Sequence, residues 1–327
     1  MAEHVKKQWF LCGRASSRKR IASDKKFRLI SLIFPIVSLL FAFLLVLHTD
    51  AASQDHAPIA DQLIGGELSY VVRRGDSPTG IGARFGVGVG VLAADNDVSP
   101  SALLKTGQQL RVDNRHIVPN IVSDGIVINI PQRMLFYLKE GRLIRSFPVG
   151  LGRHDWPTPT GPFKIVAKEE DPIWDVPLSI QDEMQREGKA VKTCVPPGPD
   201  NPLGKHWLGL SIAGYGIHGT IAPMSIYQFQ THGCIRAHPD DIAGLFDEVS
   251  PGTRGLLVYQ RLLIANAGGR IFLEVHPDPY KKDVKVHAQF EELLKSLPQF
   301  SIDRELATGI IRKQDGIARQ IGVGSLR

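Results

Sequence analysis

The run Thr231-His232-Gly233-Cys234-Ile235-Arg236 sets a thiol between an imidazole and a guanidinium, and Cys234 lies sixteen residues after His218 of Ile217-His218-Gly219-Thr220. A thiol attacks as its thiolate, and a neighbouring imidazole that takes the proton is a common way to make one. Gly233 suits a tight turn, where backbone N–H groups can point at a developing oxyanion. Just beyond, Pro239 followed by Asp240 and Asp241 reads as a helix start, whose positive end favours a thiolate nearby. The pattern is that of a nucleophile turn at Cys234, with two histidines, His218 and His232, close in sequence. It predicts a thiol pKa below the free-cysteine value of about 8.5.

With these residues in place the chain resembles the L,D-transpeptidases, cysteine enzymes that cross-link peptidoglycan on a β-rich catalytic domain (YkuD type). Upstream blocks match recurrent pieces of that domain in order: Gly150-Leu151-Gly152-Arg153, Thr158-Pro159-Thr160-Gly161-Pro162-Phe163, Gly198 to Gly204, and Gly214-Tyr215-Gly216-Ile217-His218-Gly219-Thr220. The likeness spans residues 121–259. It implies that His218 is the base for Cys234, rather than a core histidine, and that its ring is oriented by a backbone carbonyl, that of Gly219. It also implies that His232 lines the pocket, either steering substrate, assisting the oxyanion or serving the fold. Arg236 either pairs with a substrate carboxylate or holds the turn by bonds to backbone carbonyls. Thr231 is expected to hydrogen-bond the turn, and Tyr215 and Trp207 to form walls or core.

The same histidines and Cys234, joined by His238, also offer zinc ligands. No HExxH or comparable paired spacing occurs, and the upstream blocks have no reason to accompany a metal. No metal and no cofactor are therefore expected.

The net charge of +6 misleads, because residues 1–28 hold nine Lys/Arg against Glu3 and Asp24 and so leave the remainder near −1. That body carries no nucleic-acid footprint. The basic segment 1–26 abuts an apolar run, residues 27–47, long enough at 1.5 Å per residue to match a hydrocarbon core of roughly 30 Å. Basic residues on the N-terminal side keep that end in the cytoplasm and translocate the downstream chain. The expectation is a single transmembrane helix serving as signal anchor, with the catalytic domain on the periplasmic side of the inner membrane. Cleavage near Ala51, giving a secreted protein, is the alternative. Of the three cysteines Cys12 would stay inside, and a bond between Cys194 and Cys234 would block the nucleophile; Cys194 reads as a small structural residue.

A tether, residues 48–66, leads to a strand–helix–helix–strand pattern over residues 67–113. It resembles the lysin motif, a glycan-binding module for N-acetylglucosamine polymers. Pro78, Gly80 and Gly82 fall where its first helix should run, and glycine and proline cost helix stability, so the module reads as degenerate, binding glycan or serving as a spacer. From residue 121 short strands with Gly/Pro turns continue to residue 259, including a hairpin around Lys139-Glu140-Gly141-Arg142. Many short strands predict a mainly β sandwich or barrel. The proline-rich, charged stretch from Asp171 to Leu203, with a brief helix near Gln181, reads as a lid or substrate wall. The extension 260–327 reads as a structural appendage with one strand near Arg270 and a helix from Val284.

The activity this implies is formation of a thioester at Cys234, with loss of terminal D-alanine from a peptidoglycan tetrapeptide and transfer to an amine of another stem (a 3–3 cross-link) or of an envelope-protein lysine. Two alternatives use the same residues: hydrolysis, making the protein an L,D-carboxypeptidase, and a non-enzymatic membrane-tethered wall binder.

Overall fold

The computed structural model describes residues 59–324. The basic segment and the apolar run 27–47 lie outside the described residues, and among the described residues no helix is long and apolar enough to cross a membrane.

The N-terminal module begins with β1 (Leu63–Ile64) and β2 (Glu67–Val71), continues through α1 (Pro78–Phe85) and α2 (Val89–Ala94), and ends in β3 (Gln109–Asp113), which pairs antiparallel with β2. A short β4 (His116–Ile117) then pairs with β1. The residues that predicted a broken first helix instead build it, so the reading of a degenerate module is corrected. Pro78 occupies the first turn, where its missing N–H costs nothing, and the Ser77 side chain caps the helix by accepting from Gly80 N–H. Gly82 is a contact residue: a Cβ there would stand 2.5 Å from the Val87 carbonyl oxygen. Tyr70, Val72, Ile81, Val87, Leu92, Leu110 and Val112 form the core, and Ile317 from the far end of the chain completes it.

The central domain comprises β5 (Gly125–Asn129), β6 (Met134–Lys139), β7 (Arg142–Gly152) and β8 (Gly161–Glu170), an excursion with β9 (Trp174–Asp175), α3 (Leu178–Arg186) and β10 (Cys194–Val195), then β11 (His206–Leu210), β12 (Gly216–His218), β13 (Phe229–Thr231), β14 (Ile235–Ala237), α4 (Pro239–Glu248) and β15 (Arg254–Val258). The sheet runs β13-β7-β14-β12-β11-β8-β15-β5-β6, and the hairpin pairing of β6 with β7 brings it round on itself as a barrel. Strand β5 is buried on both faces: Ile126 and Ile128 enter the main core while Val127 packs outward with Phe136 and Met134. This explains its unbroken apolar run, since successive side chains point to opposite faces. Helix α4 sends Ile242 and Leu245 into the same core.

The extension is a folded layer rather than an appendage. Strands β16 (Leu262–Ala267) and β17 (Arg270–Val275) precede α5 (Val286–Leu294), β18 (Phe300–Ile302), α6 (Arg304–Lys313) and β19 (Arg319–Gly324), and the sheet order is β16-β17-β19-β18. Its Glu274 is fully buried and accepts hydrogen bonds from His116 Nδ1 (2.7 Å), Ile117 N (2.5 Å), Gln132 Nε2 (3.0 Å) and His276 Nε2 (2.8 Å). Through His116, whose Nε2 donates to the Gly86 carbonyl at 2.9 Å, one carboxylate joins the module, the barrel and the extension. Burial alone would raise the Glu274 pKa; the His116 charge and these bonds overcome it and hold the carboxyl at about 2.

Candidate active site

Strands β12 and β14 are parallel neighbours with Ile217 opposite Ile235 and His218 opposite Arg236. The register brings the histidine strand alongside the turn that carries Cys234, so residues sixteen apart in sequence line one cavity of about 440 Å³. Its walls include Trp156, Trp174, Trp207, Tyr215 and Ile180, with His218, His232, Cys234 and Arg236 facing in. A larger cleft of about 990 Å³ opens by Ile121, Phe163 and Arg254, but no histidine or cysteine lines it. Chemistry selects the smaller one.

His218 is almost wholly buried, and its Nδ1 lies 2.6 Å from the Gly219 carbonyl oxygen. A carbonyl only accepts, so Nδ1 carries the proton and Nε2 keeps a lone pair. Trp207 stacks on the imidazole with a 23° interplanar angle. Burial, and then the Arg236 charge, depress the His218 pKa to about 3, so the ring is neutral at neutral pH.

Cys234 is a free thiol, half-buried, with Sγ 3.7 Å from the Gly214 carbonyl. Burial raises its pKa above the ordinary value, against the opposing pull of a Gly216 backbone hydrogen bond and of Arg236. The expectation of a depressed thiol pKa is thereby corrected. Desolvation of the anion outweighs the nearby positive charge, and the resting pair is neutral thiol and neutral imidazole.

The turn is held from three sides. Gly233 has φ +103°, and a Cβ there would meet the Tyr215 ring at 2.7 Å, so only glycine fits. Its N–H donates to Thr231 Oγ1 at 3.1 Å while that hydroxyl donates to the Cys234 carbonyl at 2.6 Å. Thr231 thus bonds the turn, and the Gly233 N–H expected to serve an oxyanion is already occupied. Thr158 Oγ1 donates to the Gly233 carbonyl (2.8 Å) and accepts from Gly152 N–H (2.9 Å). Tyr280 of the extension accepts from Thr158 N–H (3.1 Å) and donates to the Gly152 carbonyl (2.7 Å). Sequence reasoning missed both side chains. Thr158 stood within a matched block, but Tyr280 had no local signal.

Arg236 Nη1 donates to Ser225 Oγ at 2.9 Å. Gly216 lets Trp207 lie flat over the strand, since a Cβ would fall 2.2 Å from the indole. His232 bonds Glu183 of α3 and packs against the edge of Trp156. His238 caps α4 through Asp240 N–H and does not line the cavity. Among the described residues no group of His, Cys, Asp and Glu is arranged to hold a metal ion. Cys194 is buried on β10.

A buried imidazole with a free lone pair and a thiol that line one cavity walled by indoles are suited to acyl transfer. The family model for the L,D-transpeptidase catalytic domain matches residues 123–259, and the LysM domain model matches residues 70–113, so the N-terminal module is intact in sequence as well as in fold. The Probable L,D-transpeptidase ErfK/SrfK of Escherichia coli is 30% identical over 300 residues, which cover 87% of this chain and 96% of that protein. Probable L,D-transpeptidase YcfS of the same organism is 32% identical over 227 residues, 67% of this chain and 71% of that one. The solved L,D-transpeptidase from Mycobacterium smegmatis overlaps 41% of this chain and 57% of its own at 26% identity and a TM-score of 0.33. Aligned with the first of these over nearly that relative's whole length, the chain belongs to the L,D-transpeptidase family and is an L,D-transpeptidase enzyme.

Proposed function

We propose that Cys234 is the nucleophile and His218 the base of this L,D-transpeptidase. His218 Nε2 takes the thiol proton as Sγ attacks the carbonyl of the third residue of a peptidoglycan tetrapeptide stem. The same nitrogen then gives that proton to the departing amine, so the S–C bond forms as the C–N bond to D-alanine breaks. An amine attacks the thioester by the reverse sequence, regenerating the thiol. The acceptor is an amine of a second stem or of an envelope-protein lysine. The observation that carries this reading is the His218–Gly219 bond, which turns the unprotonated nitrogen away from the backbone.

The neutral resting pair fits a mechanism in which proton transfer accompanies attack. Cys234 gains nucleophilicity only when His218 can accept, which guards the thiol against adventitious electrophiles. The LysM module would hold glycan strands near the cavity, and the apolar run 27–47 would tether the chain to the inner membrane with this domain outside. Protease accessibility of the full chain in spheroplasts tests that topology: digestion of residues 59–324 only after lysis rules it out.

For the chemistry, incubation of the full chain with tetrapeptide muropeptide should release D-alanine and leave one thioester adduct per chain, absent from Cys234→Ala. Folded protein that yields neither product refutes the assignment. Tripeptide formed in place of dimer would mark water as acceptor.

A further inference from the structure

Helix α3 lies along the cavity, lining it with Ser179 and Ile180. One turn on from Ile180, the carboxylate of Glu183 is held by two donors from the barrel side: Arg153 Nη2 donates to Oε1 at 2.5 Å and His232 Nε2 donates to Oε2 at 2.5 Å. Each oxygen therefore has its own nitrogen. The donors are fixed in turn. Arg153 Nε donates to Asp155 Oδ1 at 2.7 Å, the Arg153 backbone N–H donates to the Thr231 carbonyl at 3.0 Å, and Trp156 meets the His232 ring edge-on at 4.9 Å. His232 stands two residues before Cys234. The fork is built into the scaffold of the nucleophile turn, while its present occupant comes from the lid.

The footing of the lid is separate. Ile180 packs with Val176, Val195, Trp174 and Met184 in a small cluster of its own, apart from the barrel core. The polar clasp of Glu183 is what binds this helix to the Cys234 turn. Arg236, the arginine that lines the cavity itself, is engaged with Ser225. Arg153 is only partly covered, at 30% side-chain exposure, and Glu183 at 15%. The Arg153 bond, aided by His232 and opposed by burial, holds the Glu183 carboxyl below the usual range. It is ionised at neutral pH, as a carboxylate ligand in the same fork would be.

A tetrapeptide stem brings its own carboxylate into a cavity whose remaining walls are mostly apolar. Two donors at fixed spacing suit such a group, because charge-assisted bonds to both oxygens add geometric selection to attraction. Exchanging one carboxylate for another leaves the fork satisfied throughout, so substrate entry need not strip a charge bare. We infer that Arg153 and His232 form the carboxylate subsite for the stem peptide, and that Glu183 occupies it in the free enzyme as an internal stand-in displaced when substrate lifts α3. The inference rests on the transpeptidase reading above. The recognised group is either the terminal carboxylate of D-alanine or a carboxylate on the side chain of the third residue.

Binding separates this from the chemistry. The full chain bearing Cys234→Ala is titrated with tetrapeptide, with its C-terminal carboxamide, and with a peptide amidated on the third residue. Adding Glu183→Gln, which keeps the shape and removes the competing charge, should tighten the tetrapeptide at least about threefold, and Arg153→Gln should weaken it about tenfold. The amide lacking the recognised carboxylate should respond to neither change, and which amide that is identifies the source. An unchanged affinity for the tetrapeptide in Glu183→Gln, or an equal change for all three peptides, overturns the inference and leaves Glu183 as a strut of the lid. Should Glu183→Gln fail to fold, Arg153→Gln answers alone, by whether it removes discrimination between acid and amide. If the parent chain forms no thioester while this binding pattern holds, the transpeptidase reading falls and the subsite stands.

Discussion

His218 donates its Nδ1 proton to the carbonyl of Gly219, its immediate neighbour in the chain, at 2.6 Å. The bond fixes the tautomer by local geometry and leaves the ring uncharged, with a pKa of about 3. A raised thiol and a lowered imidazole together place the charged pair above the neutral one in free energy. Alkylation of Cys234 by iodoacetamide should therefore climb steadily from about pH 6 to beyond about pH 9, following the thiolate fraction. A reactive plateau on the acid side, read from pH-dependent rates by mass spectrometry, would show a standing thiolate–imidazolium pair and refute the neutral resting state.

The same depression sets a sign for stability. His218 titrates at 6.5 when unfolded and about 3 when folded, so its contribution is present above 6.5 and is lost as pH falls toward 3. Glu274, lowered from 4.5 to about 2, keeps its contribution above 4.5 and loses it toward 2. Each group tilts the curve by at most about 1.4 kcal/mol per pH unit within its window. Urea unfolding across this range should show stability falling with acid, and His218→Gln should flatten the portion between 6.5 and 3.

Trp207 lies where a Cβ on Gly216 would be, 2.2 Å from the indole. Gly216→Ala should cost about 1–3 kcal/mol through overpacking. It should also slow thioester formation, because the displaced indole no longer stacks on His218. In a double-mutant cycle with Trp207→Ala the costs should be less than additive, by about 0.5 kcal/mol or more. Strict additivity would deny the contact.

Tyr280 tests whether the extension supports the site. Phe at this position removes a hydroxyl that bridges Gly152 and Thr158. The expected loss is about 1–3 kcal/mol, because the Gly152 carbonyl and Thr158 N–H lose their partner. Thioester formation should fall as the Gly233 turn loosens. Unchanged denaturation and acylation would show that the bridge is idle.

Glu274→Ala should be the most damaging of these changes, by about 3–5 kcal/mol, since it leaves the buried donors of His116, Ile117, Gln132 and His276 without their acceptor. Thermal unfolding of the variant should begin far below that of the parent. A small shift would mean that the junction tolerates water.

Much of the site was legible because it is local. His218-Gly219 and the turn from Thr231 to Arg236 each carry their roles within a few residues, and the parallel register of β12 and β14 then needs no further signal to join them. The strands of the barrel were readable from apolar runs between Gly/Pro turns, the 139–142 hairpin among them. The illegible parts are long-range. Glu183 reaching His232, and Tyr280 reaching Gly152, are contacts between distant segments with no periodicity to announce them. The thiol pKa was misjudged because sequence shows charged neighbours while burial, which dominates, appears only in three dimensions. Pro78 and Gly82 misled for a related reason: propensity scores an isolated helix, whereas Gly82 is chosen by its contact with Val87.

Ile317 completes the core of the N-terminal module. During synthesis the module leaves the ribosome long before that residue does, and domains ordinarily fold in the order they emerge. Here a unit made before the barrel is finished only after it. Until Ile317 arrives, the module exposes an apolar gap, and the nascent chain spends the whole translation of the catalytic barrel with this unit unsealed.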